Sequence, residues 1–173
     1  VSTSQAIKEA YARAGSTTVH TIALELRHDS WPSPVRMINH RADISITLEA
    51  GAPANPGETV VFIATGMAVK EPKIGTDPAG EMSIQIDGVA GAINALIDIA
   101  NETGTPIDAS VRAVALDSSN DSVIGVFTPY HLQVKDTDIS LTDIAMTLGR
   151  VSPVNLKFPG TIYSPDTYPQ LYK

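Results

Sequence analysis

The chain has 173 residues, the size of one domain with a core of its own, and 43% of them are hydrophobic against 18% charged, which excludes the charge-rich disordered class. Zero cysteines exclude a disulfide scaffold, a thiolate metal site and a cysteine nucleophile. A formal charge of -7 has the wrong sign for a surface that neutralises phosphates, so nucleic-acid binding is not expected, although a wall past which DNA slides without sticking suits a negative charge.

Helical spacing of Ile7, Ala10, Tyr11 and Ala14 predicts a short amphipathic helix over Ser4 to Ala14, with Gly15 as its stop. From Thr18 the period changes to two: His20, Ile22, Leu24 and Leu26 share one face of a predicted strand, and Val19, Thr21, Ala23 and Glu25 the other. Two prolines in DSWPSP, Asp29 to Pro34, impose a turn, after which Val35 to Ile38 resumes an extended run. Ile44, Ile46 and Leu48 form the next strand, closed by the loop AGAPANPGE. Thr59 to Val69 is apolar on both faces, as expected of a strand covered on each side or buried at an interface. After a loop, Met82, Ile84 and Ile86 alternate, and Val89, Ile93, Leu96, Ile97 and Ala100 then fit a helical stripe with Asp87 as candidate N-cap and Gly104 near the end.

Three more extended stretches, Ser110 to Leu116, Val123 to Val134 and Ile139 to Val151, are separated by the turn-formers DSSND and KDTD. About seven to nine strands by this reading, with one good helix among them, predict a mainly β fold, a β-sandwich or small barrel with a flanking α-helix and a short N-terminal helix. The expected organisation is a single β-rich domain over residues 1–152 and a proline-rich extended arm over 153–173, whose four prolines rule out a helix or a central strand. No apolar run reaches the roughly 20 residues of a membrane span, and VSTSQAIKEA lacks the features of a secretory signal, so a soluble, unexported chain is expected.

Chemistry-bearing patterns are sparse. GVAGA at Gly88 to Ala92 lacks the third glycine of a dinucleotide site and reads as a strand-to-helix turn. His20, His28, His40 and His131 are scattered, with only His28 and His40 placed to approach each other across the proline turn. Asp117, Ser119 and Asp121 imitate half a calcium loop, but Ser122 and Thr128 stand where glycine and glutamate are needed, which leaves a solvated hairpin turn. Glu81 and Asp87 are the carboxylate pair one would try for glycan hydrolysis, and no G-x-S-x-G elbow supports acyl transfer. No catalytic residue, cofactor or metal is therefore expected. Aromatic and apolar side chains in turn, strand and arm remain, namely Trp31, Val60, Phe62, Tyr163, Tyr168, Leu171 and Tyr172, and these are the candidate interface residues.

YSPDTYPQL, Tyr163 to Leu171, resembles the Y-[ST]-P-x-x-[FY]-P-G-L ending of a family of small minor tail proteins of tailed bacteriophages catalogued as a domain of unknown function, departing from it at Gln170. Leu24 to Ile44 followed by ITLEAGAP, and Glu81 to Ile97, agree with that family in type and order, so the resemblance spans nearly the whole chain. It implies a fold like the β-sandwich tail-tube and distal-tail proteins and a non-enzymatic structural role at the tail tip. The implied partners are further copies in a ring, a hexamer or trimer, together with tail-tube, hub and tape-measure proteins, and the implied location is the virion tail after assembly in the bacterial host cytoplasm. A carbohydrate- or host-binding module of the tail is the alternative, poorly supplied by a single tryptophan.

Overall fold

The computed structural model describes residues 18–70, 81–87, 90–140 and 142–150. The predicted first helix and the arm beyond Pro153, with Tyr163, Tyr168, Leu171 and Tyr172, lie outside them. The described chain is mainly β. Its strands are β1 (Thr18–Arg27), β2 (Val35–Ile38), β3 (Ile44–Thr47), β4 (Thr59–Ala64), β5 (Met67–Lys70), β6 (Met82–Asp87), β7 (Asp108–Asp117), β8 (Val123–Val126), β9 (Tyr130–Ile139) and β10 (Asp143–Gly149). One helix, α1 (Ala90–Thr103), stands between β6 and β7. The ten strands join in the order β3-β4-β2-β1-β7-β9-β10-β6-β5, with β8 attached to β7.

Only Thr65 and Gly66 separate β4 from β5, yet β4 runs parallel to β2 while β5 pairs with β6 at the far end of that order. The sheet therefore curls round until its two ends meet in one bent strand. At the bend, Thr65 N donates to Ile38 O at 3.0 Å and Asp87 N to Gly66 O at 2.9 Å, so both neighbours of the seam are hydrogen-bonded to it. Side-chain amide oxygen Oδ1 of Asn39 accepts from Met67 N at 3.3 Å and covers one more backbone donor there. What reads in sequence as one strand, Thr59 to Val69, is thus two half-strands that close a small barrel, and its apolar character on both sides follows from serving two sheet regions.

The long pair β1–β7, ten residues in unbroken antiparallel register, is the spine, and it is buried on both faces. On one face Leu24 and Leu26 meet Ala109 and Val111 inside the barrel, where Met82, Ile84, Ile86, Ile144, Met146 and Leu148 complete the core. Helix α1 plugs this barrel through Ile93, Ile97 and Ala100, its 3.6-residue stripe matching the burial. Gly104, at φ +68°, ends it. Opposite, Ala23, Val114 and Leu116 pack under the β3–β4 hairpin, against Ile44, Ile46 and Phe62, as a second core.

Two turn positions differ from the sequence reading. KDTD, Lys135 to Asp138, lies inside β9 and pairs with β10; the chain reverses instead around Ser140, whose Oγ accepts from Asp143 N at 3.0 Å. Turn-forming composition was misleading because this part of β9 faces solvent and strands tolerate polar residues there. The predicted run Val123 to Val134 is also divided, into β8 and the start of β9, which share one edge of β7. Phe127 N still bonds to Ala113 O at 2.9 Å, and Tyr130 pairs with Val111, so the β8–β9 side holds one residue more than β7 between those points, next to Pro129.

Candidate functional site

Trp31 is placed in the core, 7% exposed, between β1 and α1. Its indole Nε1 donates to Leu96 O at 2.8 Å, tying the proline turn to the helix. That burial withdraws the tryptophan from any sugar-stacking surface. Trp31→Phe keeps an aromatic ring and deletes the bond, so an unfolding cost of about 1–2 kcal/mol is expected. It should lower the urea midpoint without altering the slope of the transition.

Phe62 is likewise fully buried, in the second core, and Val60 is half-buried against that core. The exposed apolar residues of β4 are their neighbours Val61 and Ile63, 56% and 59% exposed. Strand alternation explains the one-residue shift: once Phe62 points inward, Val61 and Ile63 must point out. Beside them, Ser45 and Thr47 are the exposed residues of β3, and Thr47 Oγ1 shares a 2.8 Å hydrogen bond with Thr59 Oγ1. Ser45, Thr47, Thr59, Val61 and Ile63 make an uncharged stretch of the outer ribbon face, bounded at one end by exposed Asp43, whose Oδ1 accepts from Ala64 N at 2.8 Å. β3 pairs only with β4 among the described residues, so its other edge has no strand partner there. Edge strands are ordinarily blunted by lysine, proline or a bulge, and β3, with the sequence ISIT, contains none of them.

Under this hairpin the spine carries a buried ionic network that sequence reading missed. Glu25 of β1 and Arg112 of β7 are both 0% exposed. Arg36 Nε of β2 donates to Glu25 Oε2 at 3.0 Å, and Arg112 Nη1 stands 3.8 Å from the same oxygen. Arg112 then turns its fork outward to Glu49, Nε to Oε2 at 3.0 Å and Nη2 to Oε1 at 2.8 Å. Arg36 Nη2 also donates to Asn55 Oδ1 at 2.7 Å. The Gly- and Pro-rich loop over residues 48–58 is thereby clamped at Glu49 and Asn55 onto the second face of the spine. Hydrogen bonding from Arg112 holds the Glu49 carboxyl below the usual glutamate range, with burial opposing it and the charges of Arg112 and His131 adding to the lowering. A signal existed, in that alternation placed Glu25 on the face opposite Leu24, but a charged residue in an amphipathic strand is ordinarily read as solvated.

Two clefts flank the network. One, of about 550 Å³, lies between Ser45, Thr47, Leu48 and Glu49 on one side and Val123, Val126, Phe127 and Pro129 on the other. The second, of about 420 Å³, is bounded by Arg27, His28, Trp31, Thr105 and Asp108, and its polar groups bond to one another: His28 Nε2 with Thr105 Oγ1 at 2.5 Å, Gln133 Nε2 to Asp108 Oδ1 at 3.2 Å. His28 and His40 are not brought together, since His40 pairs with Asp121 at 3.5 Å. Glu81 and Asp87 stand at opposite ends of β6, roughly 20 Å apart by strand rise, beyond the span of a glycosidase pair. Among the described residues no group of three or more His, Asp or Glu is placed to hold a metal ion. Asp117, of the calcium-like run, accepts from Ser119 N and Oγ and shapes the β7–β8 turn.

Among the described residues the arrangement defines a class: a small mainly β protein, a curled sheet plugged by one helix, with an apolar stretch of ribbon and a strand edge without a strand partner on its outside. The chain belongs to the family described as Domain of unknown function (DUF1833), whose profile matches residues 6–163. A search of the curated proteins finds no match.

Proposed function

We propose that this chain is a structural subunit of a bacteriophage tail tip, forming or joining a ring between the tail tube and the hub and fibre proteins. The observation that carries the reading is the outer face of the β3–β4 ribbon, where Val61 and Ile63 stand exposed beside a strand edge that has no strand partner among the described residues. With a net charge of -7, copies repel one another over most of their surface and meet most cheaply where charge is missing. Repetition of one such contact around an axis closes a ring. The ending Tyr163 to Leu171, with its resemblance to minor tail proteins, and the β-rich fold expected of tail-tube relatives support the same reading. On this proposal the arm reaches a neighbouring subunit, with Tyr163, Tyr168, Leu171 and Tyr172 as anchors.

Sedimentation velocity and negative-stain electron microscopy of the purified full chain test it. Rings of three or six copies, growing with concentration, are the expected result. A chain that stays monomeric at high concentration and fails to enter tails assembled from tube and hub proteins would overturn it. Removal of Tyr163 to Lys173 is expected to leave the thermal transition in place while abolishing incorporation into tails.

A further inference from the structure

The β3–β4 hairpin and its loop are fastened to the rest of the molecule at two ends. At the base, β4 pairs with β2 only at Met37–Ile63 and Ile38–Ala64. There Ala64 N donates to Asp43 Oδ1 at 2.8 Å and Thr65 N to Ile38 O at 3.0 Å. Further out, the ladder of β4 runs to β3 alone, ending at Thr47 with Thr59. The tip closes on itself as well: Leu48 N donates to Glu58 O at 2.9 Å, Ala52 N to Glu49 O at 3.0 Å and Glu58 N to Asn55 O at 3.1 Å. Among the described residues the backbone hydrogen bonds of residues 44–61 therefore stay inside the hairpin and its loop, and lifting this unit off the body breaks none of them.

What holds the tip down is polar. The fork of Arg112 grips Glu49 at 2.8 and 3.0 Å, and Arg36 Nη2 reaches Asn55 Oδ1 at 2.7 Å. Between tip and base the contact is apolar, with Ile44, Ile46, Leu48, Ala52 and Phe62 lying on Ala23, Ile38, Val114 and Leu116. The same network contains two buried charged atoms, Glu25 Oε1 and Arg112 Nη1, that make no hydrogen bond. Such atoms are costly to keep from water, and their solvation on opening offsets part of the apolar surface exposed. A segment with internal backbone bonds and few outside contacts opens as one unit, below the free energy of whole unfolding.

We infer that residues 44–64 form a hinged flap: it swings from its tip about the base at Thr65–Gly66 and uncovers the second core while the barrel around α1 stays folded. Arg112 with Glu49, and Arg36 with Asn55, are the latch that sets how often it opens. A few residues at the end of an element suffice for such a hinge. The outer ribbon bearing Val61 and Ile63 is carried on this flap, but the motion is internal to one chain and stands whether or not copies assemble into rings.

Hydrogen exchange on the purified full chain tests it. Amides of β3, β4 and the tip should exchange as one group whose rate rises weakly with urea, because opening exposes little surface, while those of β6 and β10 should rise steeply. One urea dependence common to all would overturn the flap. Ile84→Val, inside the barrel, should speed exchange in β6 and β10 about fivefold and leave β3 and β4 unchanged. An equal rise in β3 and β4 would mean that the hairpin opens only with the barrel, and would sink the inference. Glu49→Gln keeps the shape of the side chain and removes its charge, so exchange in β3, β4 and the tip should rise about tenfold. An unchanged rate there would overturn the latch.

Discussion

Arg112→Ala is expected to destabilise the fold by about 3–5 kcal/mol, the range for removing one member of a buried ion pair. The cause is specific. Arg112 lies between two carboxylates, fully buried Glu25 and partly exposed Glu49. Without it Glu25 keeps Arg36 at 3.0 Å and Arg27 at 3.4 Å, but Glu49 loses both hydrogen bonds and the 48–58 loop loses one of its two clamps. The space left by the guanidinium adds a cavity term. For a chain of this length the melting temperature should fall by roughly 6–20 °C. Arg112→Lys should recover only part of the loss, because an ammonium cannot reproduce the two-pronged contact with Glu49.

Acid titration separates the charge effect from packing. Glu49 is held below its ordinary value by Arg112. A depressed carboxylate contributes stability that is present above its unfolded value, near pH 4.5, and is lost as pH falls through the lower folded value. The wild-type chain should therefore lose stability below pH 4.5 more steeply than Arg112→Met, in which Glu49 has no guanidinium to pair with. Urea midpoints across that window measure the difference, and equal slopes would mean that the Glu49 contact contributes nothing.

Much of the architecture was legible because the period of apolar residues reports burial directly. Ile44 and Ile46, Met82 to Ile86, and the stripe Ile93, Ile97 and Ala100 all fall where alternation or helical spacing placed them. Three features were not legible, each for a physical reason. The bend at Thr65–Gly66 that closes the barrel is a tertiary event, since nothing local tells a strand that its second half will find β6 instead of β2. The Glu25–Arg112–Glu49 network is buried on a face whose cover, the β3–β4 hairpin with its loop, comes from elsewhere in the chain. KDTD has the composition of a turn, and a solvent-facing strand such as β9 accepts the same residues. Of the candidate interface residues on β4, Phe62 is fully buried; both faces of β4 are apolar in sequence, and periodicity cannot say which of them points in.

That ambiguity leads to a two-part prediction with large and opposite signatures. Phe62→Ala removes a fully buried ring from the second core and should cost about 3–5 kcal/mol. The surviving folded fraction should assemble as before, since the outer face is untouched. Ile63→Lys, one residue along, places an ammonium on the exposed face and should change stability by no more than about 0.5 kcal/mol. In a ring every copy meets the like-charged lysine of its neighbour or buries it without a partner, so the penalty is repeated at each interface. Sedimentation should accordingly show Phe62→Ala as rings with a lowered melting temperature and Ile63→Lys as a monomer with a normal one. If Ile63→Lys still forms rings, the β3–β4 ribbon is not the subunit contact, and assembly would have to run through another exposed apolar position such as Tyr130 or Ile139, 59% and 40% exposed on β9.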